Sequence, residues 1–296
     1  MRRILIGFDG SSHGDDALAL GRVLAEAAGA DAEAVVAIAY KPVIPKDSSG
    51  TESDYQARLR HEAEQELERA KQLAPELPAE AFRTVRGSAA GGLHRVAEEI
   101  GADAIVVGTS HRGPLGRVWA GSATEQILHG APCAVAVAPI DYAQLPEERR
   151  RLNRIGVAYD GSPESKNALR AGVELAQATG ARVAPISVVD LRTPTTVAYG
   201  YEKYVEAVRE LVAVELREAG DEVAGAADVD LVEREGDPAR ELAAASADVD
   251  LLVAGSRGYG PLKRVLLGSV SARLVREAES PLLLLPRSAI EAGEAA

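Results

Sequence analysis

The sequence predicts two α/β domains in tandem, each a parallel sheet covered by helices. Three observations predict it. Short apolar runs alternate with amphipathic segments along the chain, the pattern of repeated strand–helix–strand units. The pattern occurs twice in 296 residues, at a length that suits two domains. Aromatics are only 4% of residues while hydrophobic residues are 46%. The cores are therefore built from Ala, Val, Leu and Ile, as suits parallel strands buried on both faces.

The repeat is legible residue by residue. Ile4 to Ser11 (ILIGFDGS) is echoed by Ile155 to Ser162 (IGVAYDGS), and Asp9 and Asp160 are 151 positions apart. Gly29-Ala30 and Gly180-Ala181 keep that offset. Asp103 and Asp250, each before an apolar run ending in Gly108 or Gly255, are 147 apart, as are Gly121-Ser122 and Gly268-Ser269. The second copy has therefore lost a few residues in its middle, where loops absorb length changes. The copies span residues 1–140 and 154–288. A Pro-containing, charge-rich linker (141–153) joins them, and 289–296 form a frayed tail.

In the first copy, Arg3 to Phe8 is a strand. Ser11 or Ser12 caps a helix that ends at Ala28 before Gly29 and carries the apolar stripe Ala17, Leu20, Leu24 and Ala27. Ala34 to Ala39 is the second strand, Lys41 to Asp54 a loop and Tyr55 to Leu73 a long charged helix. A weak strand (Ala81 to Val85), a helix (Leu93 to Ile100), a strand (Ile105 to Val107), a short helix (Thr124 to Leu128) and a fifth strand (Ala134 to Ala138) follow. The second copy repeats this order. Ser162 caps its first helix with Pro163 at the first helical position, and Gly180 ends it. Tyr201 to Ala219 is its long helix and Leu282 to Leu285 its last strand. If the strand order is 3-2-1-4-5, the crevice opens between strands one and four, beyond their carboxyl ends. Asp9 and Asp160 follow strand one, and Gly108 and Gly255 follow strand four.

The second copy reads Gly255-Ser256-Arg257-Gly258, nine residues, then Gly268-Ser269. Glycines let a backbone approach a phosphate, and a helix start with unpaired N–H groups favours an anion. Ser269 is placed as the N-cap, and Arg257, Lys263 and Arg264 add positive charge. The same glycines could simply make turns. Their coincidence with the switch point, a preceding Asp and a capping Ser favours binding. The loop lacks the Gly-Lys-Ser/Thr of a P-loop.

This combination resembles the ATP-binding pattern of the universal stress protein family, and the likeness runs through both halves. The resemblance implies a Rossmann-like, flavodoxin-like domain with strand order 3-2-1-4-5, repeated in tandem about a pseudo-two-fold axis. It also implies ATP as ligand, with or without Mg²⁺. It assigns Asp160 and Val188 to the adenosine end, with Gly255, Gly258, Gly268, Ser269 and Val270 around ribose and phosphates, and Ala158 and Arg257 stand beside them as further candidate binding residues. The first-copy counterparts are Asp9, Ala37, Gly108, His111, Gly121, Ser122 and Ala123. His111 replaces the second glycine, so its bulk weakens binding or its imidazole donates to a phosphate. Ala37, matched with Val188, offers a smaller adenine wall.

No catalytic constellation accompanies the loop. All five histidines (13, 61, 94, 111 and 129) lie in the first half without metal-ligand spacing. Trp119, matched with Leu266, reads as packing. A non-catalytic, nucleotide-sensing regulatory module is expected, with a slow ATPase or a nucleotide-free scaffold as the alternatives. The net charge of -12 argues against nucleic acid and anionic membranes. The single Cys133 allows no internal disulfide and fits a buried thiol. Neither a leader nor a bilayer-length apolar run is evident, so a cytoplasmic setting is expected. The short apolar fifth strands, as edges, are expected to pair with each other, and further assembly of whole chains is left open.

Overall fold

The computed structural model describes residues 1–29, 32–40, 52–109, 122–192, 201–256, 265 and 268–286. The chain divides into two units, Met1–Arg150 and Arg151–Ala296. The first unit runs β1 (Arg3–Gly7), α1 (Ser12–Ala28), β2 (Glu33–Tyr40), α2 (Glu52–Leu73), β3 (Phe82–Arg86), α3 (Ala89–Ile100), β4 (Ala104–Gly108), α4 (Ser122–Leu128) and β5 (Ala134–Ala138). The second runs β6 (Arg154–Ala158), α5 (Pro163–Thr179), β7 (Arg182–Val189), α6 (Tyr201–Val223), β8 (Val232–Glu235), α7 (Pro238–Ala245), β9 (Leu251–Gly255), α8 (Ser269–Glu277) and β10 (Leu282–Leu285). Within each unit the described pairs are parallel, and the order is 3-2-1-4-5 by position in the unit.

The central strands are buried on both faces. Ile4, Leu5 and Ile6 of β1 and Leu251, Leu252 and Val253 of β9 are fully inaccessible. That is why these runs show no polar alternation. Helix α1 starts on Ser11, whose hydroxyl accepts from the Gly14 N–H, and packs Ala17, Leu20, Leu24 and Ala27 inward. Helix α5 starts on Ser162 with Pro163 behind it and stops on left-handed Gly180. Four helices are longer than the sequence pattern predicts: α2 starts at Glu52 and α4 at Ser122, and α3 and α6 are extended by a turn. Helix α3 starts at Ala89 because the Ser88 hydroxyl accepts from the Gly91 N–H at 3.1 Å, which adds a first turn ahead of Leu93. Helix α6 passes Gly220 to Val223, whose fully buried side chain anchors the last turn.

The lost residues fall in two places. Gly29 and β2's Glu33 are four apart, while Gly180 and β7's Arg182 are two apart. The other two are lost between the start of the third helix and strand four, 15 positions from Ala89 to Ala104 against 13 from Pro238 to Leu251, where α7 gives way to a 3₁₀ turn (Ser246–Asp248). The offset is therefore 149 along the second strands. This corrects the pairing of Ala37 with Val188. Ala37 lies opposite Gly7, and the equivalent residue opposite Ala158 is Ile186. Val188 corresponds to Ala39.

Asp103 and Asp250 serve the opposite end of the sheet from the crevice. The Asp103 carboxylate accepts from the Arg2 and Arg3 N–H groups, and Asp250 accepts from Asn153 and Arg154 at 2.8 Å each. Each carboxylate ties the start of strand one to the start of strand four. Asp250→Ala is expected to lose about 1–2 kcal/mol in urea unfolding. Unchanged stability would overturn this structural role.

The sequence reading passed over Asp16. It is 2% exposed, and its two oxygens accept from the Asp141 and Ala143 N–H groups at 3.1 and 2.8 Å. Burial pushes its carboxyl up from the usual range, against the pull of the two backbone donors. The available signal was a carboxylate one turn before Leu20 on the buried stripe of α1. Asp16→Ala leaves two backbone donors without these acceptors and is expected to destabilise the first unit by about 2 kcal/mol. Faster amide exchange at Asp141 and Ala143 would report it, and unchanged exchange there would contradict it. Residues 142–144 and 147–150 form short 3₁₀ turns.

Candidate functional site

The Asp-Gly-Ser turn after the first strand has the same geometry in both units. Asp9 Oδ1 accepts from the Ser11 N–H at 3.1 Å and the Ser11 hydroxyl at 2.5 Å. Asp160 does the same with Ser162, at 3.3 and 2.5 Å. Between them Gly10 and Gly161 are left-handed, with φ of 74° and 69°, a conformation that favours glycine. The serine hydroxyl donates to the aspartate while accepting from the first helical turn. Each aspartate is thus exposed at the carboxyl end of strand one in a fixed orientation.

Gly108 and Gly255 close the other side of the crevice. A Cβ on Gly108 would lie 2.1 Å from the His13 carbonyl oxygen, and one on Gly255 2.6 Å from that of Glu164. These glycines let the first turn of α1 or α5 lie against the end of strand four. Their presence therefore has a packing cause, independent of any phosphate.

In the first unit, Asp9, Ala37, Gly108 and Ala123 line one cavity, together with His13 and Thr124. It lies between the ends of β1 and β4, where the strand order reverses. The Thr124 hydroxyl donates to the Gly108 carbonyl at 2.8 Å and holds the start of α4 at the crevice. Ala37 is fully buried, and its carbonyl still accepts from Phe8. In the second unit Tyr159 donates to Ile186 in the same way, and Val188 lies two residues further along β7. Val188 is half-buried and pairs with Arg234 of β8, beyond the last β6 pairing. The corrected register therefore puts Val188 and Ala39 past the end of strand one, while Ala37 remains inside the sheet.

Ala158 ends β6 half-buried. Helix α8 begins with Ser269 as its first helical residue, and Gly268 is the N-cap, with no side-chain hydrogen bond. This corrects the placement of Ser269 as the cap. Gly268 takes the extended conformation (φ −81°, ψ 176°) that the cap requires, which moves Ser269 into the helix. Among the described residues, no capping side chain competes there for the first-turn N–H groups. Val270 is half-buried and Ser269 exposed. Ser256 is fully buried, and among the described residues its hydroxyl has no hydrogen-bond partner. The matching Thr109 hydroxyl donates to Ala138 at 3.1 Å.

Ser122 opens α4. His111, Gly121, Arg257 and Gly258, with Trp119, Lys263, Arg264, Leu266 and the tail, lie outside the described residues. Among the described residues, no group of three or more His, Cys, Asp or Glu could hold a metal ion. No helix among them is long and apolar enough to cross a membrane. Burial pushes the Cys133 thiol up to about 12, and the protonated form makes it a poor nucleophile.

A sequence model of the universal stress protein family matches residues 1–139 and again 151–286. Universal stress protein Rv2005c of Mycobacterium tuberculosis is 30% identical over 193 residues, 63% of this chain and 63% of that protein. The match thus covers under two thirds of that relative's length. Universal stress protein Rv2319c of the same organism is 30% identical over 208 residues, 67% of this chain and 69% of that one. The crystal structure of a universal stress protein from Archaeoglobus fulgidus has a TM-score of 0.68 over 97% of this chain and 98% of that chain, at 19% identity. At that identity the likeness speaks for the fold alone.

Proposed function

Because the chain belongs to the universal stress protein family, we propose that it is a cytoplasmic, nucleotide-sensing module whose second unit binds ATP, with or without Mg²⁺, and does not turn it over. The observation that carries this reading is the first unit's cavity. Four residues from separate parts of the chain, Asp9, Ala37, Gly108 and Ala123, converge on it at the switch point. Their repeat counterparts, with Ile186 now in Ala37's place, frame the same position in the second unit. There Asp160 and Val188 take the adenosine end. Gly255, Arg257, Gly258, Gly268, Ser269 and Val270 take ribose and phosphates. The uncapped first turn of α8 offers N–H donors to the anion.

The first unit is proposed as the weaker site, with Gly121 and Ser122 at its helix start and His111 in place of Gly258. Val188 also presents more apolar surface than its true counterpart, Ala39. The Ser11 and Ser162 hydroxyls that donate to Asp9 and Asp160 also accept from the first helical turn, so they are assigned to capping and not to nucleophilic attack.

Mass spectrometry of nucleotide released from purified protein is expected to find an adenine nucleotide. Long incubation with ATP and Mg²⁺ is expected to leave it intact. Hydrolysis at an ordinary enzyme rate, abolished by Asp160→Ala with binding retained, would replace this reading with an ATPase. Absence of binding would leave a scaffold. Pairing of Ala134–Ala138 with Leu282–Leu285 is proposed from the short apolar sequences alone. Disulfide trapping of Ala136→Cys with Leu284→Cys, in a Cys133→Ser background, is expected to succeed, and failure to trap would count against it.

A further inference from the structure

The two units handle the turn after strand one with opposite charge. In each, a glutamate of the long helix lies over the left-handed glycine. A Cβ on Gly10 would meet the Glu66 carboxylate at 2.3 Å, and one on Gly161 would meet Glu215 at 2.9 Å. Glu66 and Glu215 are 149 apart, the offset of the second strands, so the long helices are in register. In the first unit, Arg69 sits one helical turn beyond Glu66. Its guanidinium donates to the Gly10 carbonyl, pairs with the Asp15 carboxylate and lies 5.8 Å over the Phe8 ring. At the matching positions of the second unit stand Glu218 for Arg69, Tyr159 for Phe8 and Lys166 for Asp15.

The consequence is an acidic face around a buried phenol. Glu215, Glu218 and Glu222 follow at helical spacing on α6, and Asp160 approaches from the turn. Tyr159 is 3% exposed, and its hydroxyl has no hydrogen-bond partner among the described residues. An unsatisfied buried hydroxyl calls for an explanation. The phenol is pushed up by burial and then by Glu222, Glu218, Glu215 and Asp160. The Glu215 carboxyl is likewise pushed up by burial, Asp160 and Glu218, while Lys166 of α5 pulls it down.

We propose that this face of α6, over the Asp160-Gly161 turn, is a binding site for a guanidinium group, held by Tyr159, Glu215 and Glu218. The first unit shows the chemistry with its own Arg69. A guanidinium presents five donors in one plane and stacks on an aromatic face. The phenol oxygen, the carboxylates and the ring supply matching acceptors. A metal ion suits the site less, since no group of three or more described His, Cys, Asp or Glu is arranged to hold one.

The guanidinium could belong to a free small molecule or to an arginine side chain of a partner. The test is an NMR titration of the full chain, following the Tyr159 ring signals, assigned with Tyr159→Phe. The probes are agmatine and a short peptide with one arginine, each against sodium chloride of equal ionic strength. A saturable shift is expected with guanidinium and not with sodium. Saturation by agmatine points to a free ligand, and saturation by the peptide alone points to a partner side chain. Glu218→Arg supplies the cation internally and is expected to abolish the shift while raising Tm by a few degrees. No saturable shift with either probe, or a shift that survives Glu218→Arg, overturns the proposal. Glu218 is outside the proposed nucleotide site, so ATP affinity measured on the same variants separates failure of one site from failure of the other.

Discussion

Gly108→Ala is expected to destabilise the first unit by about 3 kcal/mol, the upper end of the usual cost of overpacking. The added methyl would lie 2.1 Å from the His13 carbonyl oxygen, 2.8 Å from its carbon and 3.0 Å from the His13 Cβ. The first of these is backbone in the opening turn of α1, so relief requires that turn to lift from the end of β4. Ser11 caps the same turn and bonds Asp9, so the movement would also disturb the Asp-Gly-Ser geometry. Gly255→Ala is expected to cost less, because its clash with Glu164 is 2.6 Å. Urea unfolding with amide exchange resolves the two units separately, as two-state analysis of a two-unit chain does not hold by default. A loss below about 1 kcal/mol for Gly108→Ala, with nucleotide binding impaired, would show that the glycine serves a ligand rather than the helix.

Gly268→Trp is expected to weaken the tighter nucleotide site by at least about tenfold, or roughly 1.4 kcal/mol, with little change in stability. Gly268 has extended backbone that any residue adopts and is only partly covered, so the indole has a conformation available. It would stand over the uncapped first turn of α8, where the proposed phosphates accept from N–H groups. The matched variant Gly121→Trp is expected to leave the tight phase in place. Calorimetry of both, with thermal unfolding as the control for folding, decides the assignment. If the tight phase disappears only with Gly121→Trp, the first unit is the stronger site and His111 is a ligand contact.

Much of the local structure was legible because its causes are local. Ser162-Pro163 and Gly180 announce the two ends of α5 through capping and backbone preference. The runs at Ala134–Ala138 and Leu282–Leu285 match their strands end to end, because parallel strands buried on both faces need unbroken apolar sequence. Asp9 and Asp160 were legible as a pair because the repeat placed both after the first strand.

What escaped the sequence depended on partners distant along the chain. Asp250 looked like part of a binding signature, yet its carboxylate holds Asn153 and Arg154, almost a hundred residues earlier. Ser269 looked like a cap, but only the backbone angles show that Gly268 fills that place.

By itself, then, the sequence determined the doubled α/β pattern and the caps of the first helices, since periodicity and capping act within a few residues, while the strand order came only with the resemblance to the family. The tertiary structure decided the register of the second strands, the close approach of Gly108 to His13 and the burial of Asp16 beneath residues 141–143. Those features depend on hydrogen bonds and contacts with segments far along the chain, and no local sequence pattern reports which atoms will meet there.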